Sequence, residues 1–123
     1  MPRDQTGPMP SLHHLALPDD WAAAADDGEY TWSTRGRSLA DEGFIHCSYP
    51  HQLEATANRF YADVPSLVVL TIDPSRLAAP VVVEAAEPGG EEFPHLYGPL
   101  PVDAVTVARV WERAPDGRYS GGA

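Results

Sequence analysis

The sequence predicts an α+β fold with a mostly antiparallel or mixed sheet and short helices. Three runs of strand character, Leu67–Ile72, Val81–Ala85 and Ala104–Trp111, dominate its second half. Strands outnumber helices and are not regularly interleaved with them, which argues against a doubly wound parallel sheet. With 123 residues, 43% of them hydrophobic, the chain can bury one core.

In chain order, residues 1–10 hold three prolines and a glycine and offer little to bury, so they read as a disordered tail. Leu12–Leu17 suits a first strand. Pro18 then opens a short helix with Asp19 and Asp20 in its favourable first turn, and Gly28 ends it. The stretch from Glu29 to Ser38 reads as a short extended piece and a loop. Ser38–Glu42 can make one helical turn, which Gly43 terminates by a left-handed conformation. Phe44–Cys47 is a short buried strand. Pro50 restarts a helix, and Leu53, Ala57 and Phe60 recur at helical spacing as its inward stripe.

Leu67–Ile72 is a nearly continuous apolar strand stopped by Asp73-Pro74, and Val81–Ala85 is a second β-branched run. Pro88-Gly89-Gly90 marks a turn. Phe93–Gly98 reads as a restrained loop, because Pro94 and Pro99 limit the backbone while Gly98 permits close approach or positive φ. Ala104–Trp111 closes the domain, taken as residues 11–113. Residues 114–123 end in Ser-Gly-Gly-Ala and read as a flexible tail.

Charge narrows the partners. A formal net charge of −10 with no basic patch excludes nucleic acid and anionic membrane surfaces as binding partners. No apolar run approaches the roughly 20 residues needed to span a bilayer, and the first residues lack a signal-peptide core, so a cytoplasmic location is expected. The single Cys47 cannot form an internal disulfide. Lysine is absent, which removes Schiff-base chemistry, a pyridoxal-phosphate anchor and a phosphate-loop lysine.

Two histidines stand in restrained settings, His46 in Glu42–Ser48 and His95 in Phe93–Gly98. Histidine has the side-chain pKa nearest neutrality, so both are candidates for proton transfer, against the alternative of satisfied core histidines. Strand alternation puts Phe44, His46 and Ser48 on one face, which separates Cys47 from His46 and leaves it as a small buried hydrophobe. Ser48 either caps the following helix or contacts an anion at that helix start. Glu84 ends a valine run; it is either an acid-base group in a cleft or an edge-strand charge. Tyr97 shares the restrained loop of His95. Arg35 and Arg37 are the arginines nearest His46, to be read as anion contacts or as a solvated loop. His46 and His51 lack helical metal spacing, so no metal site is expected.

Together Trp21, Leu39–Ser48, Gln52, Thr56-Ala57, Phe60, Leu67–Leu70, Glu84 and Phe93–Gly98 resemble the family catalogued as domain of unknown function 952. The resemblance runs from Leu12 to about Val110. That family is grouped with the ADP-ribosyltransferase-like superfamily, which implies a split pair of small mixed sheets around a cleft for NAD or an NAD-derived group. It also implies that His14 contacts a ribose, that His46 or Ser48 lies near nicotinamide, and that Glu84 or a residue of the Phe93 loop activates the acceptor. Gln52 joins them as a substrate contact.

The expected function is a small-molecule enzyme with His46, His95 and Glu84 as catalytic groups, acting on NAD or a nucleotide-derived ligand. Two alternatives stand beside it. One is a cofactor-independent acid-base cyclase, isomerase or lyase on a compact metabolite; the other is a non-catalytic binding module.

Overall fold

The computed structural model describes residues 11–85 and 87–121. The predicted N-terminal tail lies outside them. Thirteen elements follow one another: β1 (Leu12–Ala16), α1 (Pro18–Asp27), β2 (Glu29–Tyr30), β3 (Trp32–Thr34), β4 (Arg37–Ser38), α2 (Leu39–Glu42), β5 (Ile45–His46), α3 (Leu53–Phe60), β6 (Ser66–Ile72), β7 (Val81–Ala85), β8 (Glu92–Leu96), β9 (Leu100–Pro101) and β10 (Val105–Glu112). They build two three-stranded sheets, ordered β1-β6-β10 and β5-β8-β7, and two short pairs, β2-β9 and β3-β4. Every pairing between these strands is antiparallel.

Strand β6 explains the layering. Its residues alternate between two apolar clusters: Val68, Leu70 and Ile72 face one, Leu67 and Val69 the other. The first cluster lies between the two large sheets, since it also takes Leu12 and Ala16 from β1 and Ile45 and Leu96 from the second sheet. The second cluster is closed by Leu53 and Ala57 of α3 together with Trp111 and Tyr119. A strand buried on both faces reads as an unbroken apolar run, as Leu67–Leu70 does.

Local signals place the helix boundaries. Pro18 starts α1, and Gly28 ends it at φ 89°. Ser38 caps α2 reciprocally with Asp41: the Asp41 N–H donates to Ser38 Oγ at 3.1 Å and the Ser38 N–H to Asp41 Oδ2 at 3.0 Å. Gly43 then turns the chain at φ 88°, as its position predicts. The ambiguous stretch after Glu29 resolves into β2 and the β3-β4 hairpin.

Three expectations are corrected. The Phe93–Gly98 segment is the central strand β8 through Leu96, not a loop. Proline is tolerated there because of where the sheet stops. Cys47 N–H donates to the Pro94 carbonyl at 2.9 Å, but Pro94 has no N–H to return, so β5 ends at His46 and Ser48 pairs instead with His13. Gly98 serves close approach, since a Cβ there would lie 2.5 Å from the Ala79 Cβ.

Phe60 is not part of the inward stripe of α3; it is 44% exposed, and Tyr61, just past the helix end, takes the core position. The inward residues are Leu53, Thr56 and Ala57.

Residues 114–121 are not a free tail. Tyr119 is 1% exposed, its hydroxyl donates to the Val64 carbonyl at 2.5 Å, and its backbone exchanges two hydrogen bonds with the Asn58 side chain. Trp111 Nε1–H adds a bond to the Ser120 carbonyl at 3.0 Å. An aromatic ring outweighs the glycines around it, because burying it removes a large apolar surface from water. Among the described residues, no helix is long and apolar enough to cross a membrane.

Candidate functional site

The second sheet presents one face to the apolar core and the other to a cleft. In β8 the alternation sends Leu96 inward and Phe93 and His95 outward. In β5 it sends Ile45 inward and His46 outward. The register then matters: His46 pairs directly with His95, and Ile45 with Leu96. Residues directly opposite share a face, so two histidines nearly fifty positions apart stand side by side, ring centroids 5.5 Å apart.

The cleft has a volume of about 440 Å³. Its floor is His46, His95, Phe44 and Phe93. One wall is α3, through Ala55, Thr56, Arg59 and Phe60; the others are Thr34 and Arg37 of the hairpin, Glu42, and the Glu87–Glu91 loop. Gly43 delivers Phe44 so that its ring stacks on His95, centroids 4.0 Å apart and planes within 13°. Phe93 packs against His46 at 4.8 Å.

Glu84 reaches His95 from outside this cavity. It pairs with Phe93 across β7-β8, which places its carboxylate diagonally beside His95, and Oε2 lies 2.8 Å from His95 Nδ1. The Tyr97 hydroxyl donates to the same carboxylate oxygen. A carboxylate only accepts, so Nδ1 carries the proton and Nε2 is left as the acceptor in the neutral ring. The Tyr97 and His95 hydrogen bonds hold the Glu84 carboxyl below its usual pKa. Tyr97 is correspondingly raised, chiefly by its bond to Glu84.

His46 has the opposite environment. Burial, chiefly, and the neighbouring His95 ring, against the opposing effect of Glu42, lower its pKa to about 4. Its Nε2 is buried and has no hydrogen-bond partner. The imidazole is therefore neutral near pH 7, and one of its polar atoms is unsatisfied.

The remaining candidate residues divide by position. His14 is 2% exposed and does not reach the cleft. Its Nδ1 donates to the His46 carbonyl at 2.6 Å, leaving Nε2 to accept from the Tyr30 hydroxyl at 2.9 Å. Both nitrogens are spent, Nδ1 on the backbone of His46 and Nε2 on Tyr30. Ser48 is 2% exposed and lines only a void of about 10 Å³ behind His46; the helix cap falls on Tyr49 instead.

Gln52 is a buried strut: Oε1 accepts from the Tyr49 N–H at 2.9 Å, while Nε2 donates to Glu91 at 3.0 Å and to the Glu92 carbonyl at 2.8 Å. Arg35 turns away to pair with Asp63. Arg37 lines the cleft and pairs with Glu42. Cys47 is sealed, and burial pushes its thiol up to about 12.

Of the nine candidates, His46, His95 and Arg37 line the cleft. Glu84 and Tyr97 support His95 from behind. Arg59, Thr56 and Phe44 were not singled out by the sequence reading as site residues. The α3 spacing carried the signal for two of them, because Gln52, Thr56 and Arg59 lie three or four positions apart on one helix face. Among the described residues, no group of three or more His, Cys, Asp or Glu side chains is placed to hold a metal ion.

Fold and site together define an α+β domain of small antiparallel sheets with a two-histidine cleft. The chain belongs to the family described as protein of unknown function DUF952, whose model matches residues 15–108. It is similar to protein CC0527 from Caulobacter crescentus. The crystal structure of that protein aligns with a TM-score of 0.75 at 30% identity, over 89% of this chain and 92% of that one. Its solution NMR structure aligns with a TM-score of 0.75 at 30% identity, over 91% and 93%. No curated protein matches the chain.

Proposed function

We propose that the chain is an enzyme acting on a compact small molecule by proton transfer in the cleft floored by His46 and His95. The observation that carries this reading is the pair of imidazoles, adjacent in register but set in different surroundings. His95 has a carboxylate on Nδ1, which fixes its tautomer and orientation and leaves Nε2 as a proton acceptor. It acts as the general base. His46 is neutral and its ring lies on the cleft floor beside His95, so it shapes the site and orients the substrate without adding a charge. The Glu84 carboxylate balances the positive charge His95 gains when it takes the proton.

The ADP-ribosyltransferase-like grouping, with NAD as ligand, is the finer form of this reading. The residues fit it poorly. His14, assigned to a ribose, has both nitrogens engaged in the core, and Glu84, assigned to the acceptor, stands outside the cleft. No step is therefore drawn through NAD, and acid-base chemistry on a compact metabolite is the better supported form. A cleft of about 440 Å³ lies within the usual range for small-molecule sites.

Incubating wild-type protein, H95Q and H46Q with a metabolite extract tests the reading by mass spectrometry. A compound consumed by wild type and spared by H95Q is expected. Identical profiles for all three proteins would refute it.

A further inference from the structure

We propose that the end of the cleft holding Arg59 and Arg37 is a subsite for an oxyanion of the ligand, and that the acidic opposite end fixes which way round the ligand enters. This deepens the small-molecule reading of the cleft and depends on it. It does not depend on the roles given to the histidines.

The two ends are separated along α3. Gln52, just before the helix, holds the Glu91 carboxylate, and Glu87 belongs to the same loop. Arg59 comes seven residues later, about 10 Å farther along the axis at the α-helical rise. The β3-β4 hairpin packs at that far end, because Arg35 donates to the Phe60 carbonyl at 3.3 Å and pairs with Asp63. Arg37, two residues on in the hairpin, lines the cleft from there. One end thus gathers Arg59, Arg37 and Glu42, and the other Glu87 and Glu91.

Arg59 makes the case. The sequence has 18 acidic residues and 8 arginines; in the structure Arg35 pairs with Asp63, Arg37 with Glu42 and Arg76 with Asp73, while Arg113 donates to the Ala62 carbonyl. Among the described residues no carboxylate pairs with Arg59. Its guanidinium lies instead over the Phe60 ring, 5.2 Å from the centroid. This contact uses the face of the aromatic ring as the partner of the positive charge and takes up no oxygen acceptor, so the N–H donors keep capacity for a ligand. Arg37 contributes Nε to Glu42 and retains its terminal nitrogens. A planar fork of donors on a cleft wall suits the two oxygens of a phosphate or carboxylate. Favourable placement near the end of a helix dipole also suits Arg59, but that alone predicts no ligand.

Inorganic phosphate is the probe, titrated into wild type, R59Q, R59K and H95Q and followed by two-dimensional NMR of backbone amides and the Arg59 Nε–H. Binding is expected to shift Arg59, Thr34 and Thr56, with affinity falling about tenfold in R59Q and less in R59K. H95Q should bind phosphate as wild type does. Absence of shifts at millimolar phosphate, or equal affinity in folded R59Q, would overturn the subsite and mark Arg59 as structural. Phosphate binding intact alongside unchanged turnover in H95Q would instead refute the acid-base reading and leave the subsite standing.

Discussion

Glu84 and His95 are joined at 2.8 Å across the sheet, but His95 lines the cleft and Glu84 does not. The carboxylate therefore acts on the ring and not on a ligand. E84Q keeps an acceptor near Nδ1 and removes the charge, so activity should fall about 10- to 100-fold while the fold persists. Turnover measured beside thermal unfolding checks this, and a lowered melting temperature with full activity would contradict it.

Tyr97 holds the carboxylate from the other side. Its hydrogen bond is the largest cause of the lowered Glu84 pKa, so Y97F should raise that pKa toward the ordinary carboxylate range. Carbon-detected NMR titration of the Glu84 carboxyl reads the shift directly. A lowered carboxyl contributes stability that is present above its unfolded pKa and lost as pH falls through the folded one. The variant should narrow that acidic window.

His14 and His46 are both lowered to about 4, each chiefly by burial. For His14 the bond to the His46 carbonyl opposes the shift and the His46 ring adds to it. Between 6.5 and about 4 the unfolded chain holds protons that the native one lacks, so stability rises with pH across that window. It is fully present above 6.5 and is lost as pH falls toward about 4. The fully buried His14 accounts for about 3 kcal/mol of it, as an order of magnitude. Denaturant unfolding between about pH 7 and about pH 5 should show this decline, with both imidazole NMR signals flat over the same range. A titration midpoint near the free value for either ring would refute it.

Tyr119 closes the second apolar cluster. Y119A should lower stability by about 3–5 kcal/mol, and Y119F, which loses only the bond to the Val64 carbonyl, by about 1 kcal/mol. Urea unfolding distinguishes these from the near-zero effect expected of a free tail.

Gly98 admits no side chain against Ala79. G98A should destabilise by about 1–3 kcal/mol, and A79G in the same chain should recover part of the loss. Failure of the second change to rescue would show that the backbone of Gly98, not the space around it, is the constraint.

Much of the local architecture was legible in the residues. Pro18, Gly28, Ser38 and Gly43 mark helix ends through side-chain capping and backbone freedom, effects that operate within a few positions. Leu67–Ile72 declares a strand because both its faces are apolar. The two histidine phrases stood out as restrained settings. Proline misled in β8, because the rule against proline in a central strand assumes that every residue must donate, and here the neighbouring strand ends where Pro94 would have done so.

What the sequence alone determined is where the helices and the apolar strands lie and that two restrained histidines carry titratable chemistry. Tertiary structure alone decided that His46 meets His95, that Glu84 supports a ring instead of facing a ligand, that His14 is sealed beneath the site, and that Arg59 joins it. The physical reason is strand register. A shift of one residue in β5 against β8 would turn His46 to the core and Ile45 to the cleft, and that register is set by the burial of Ile45 and Leu96, far from any motif.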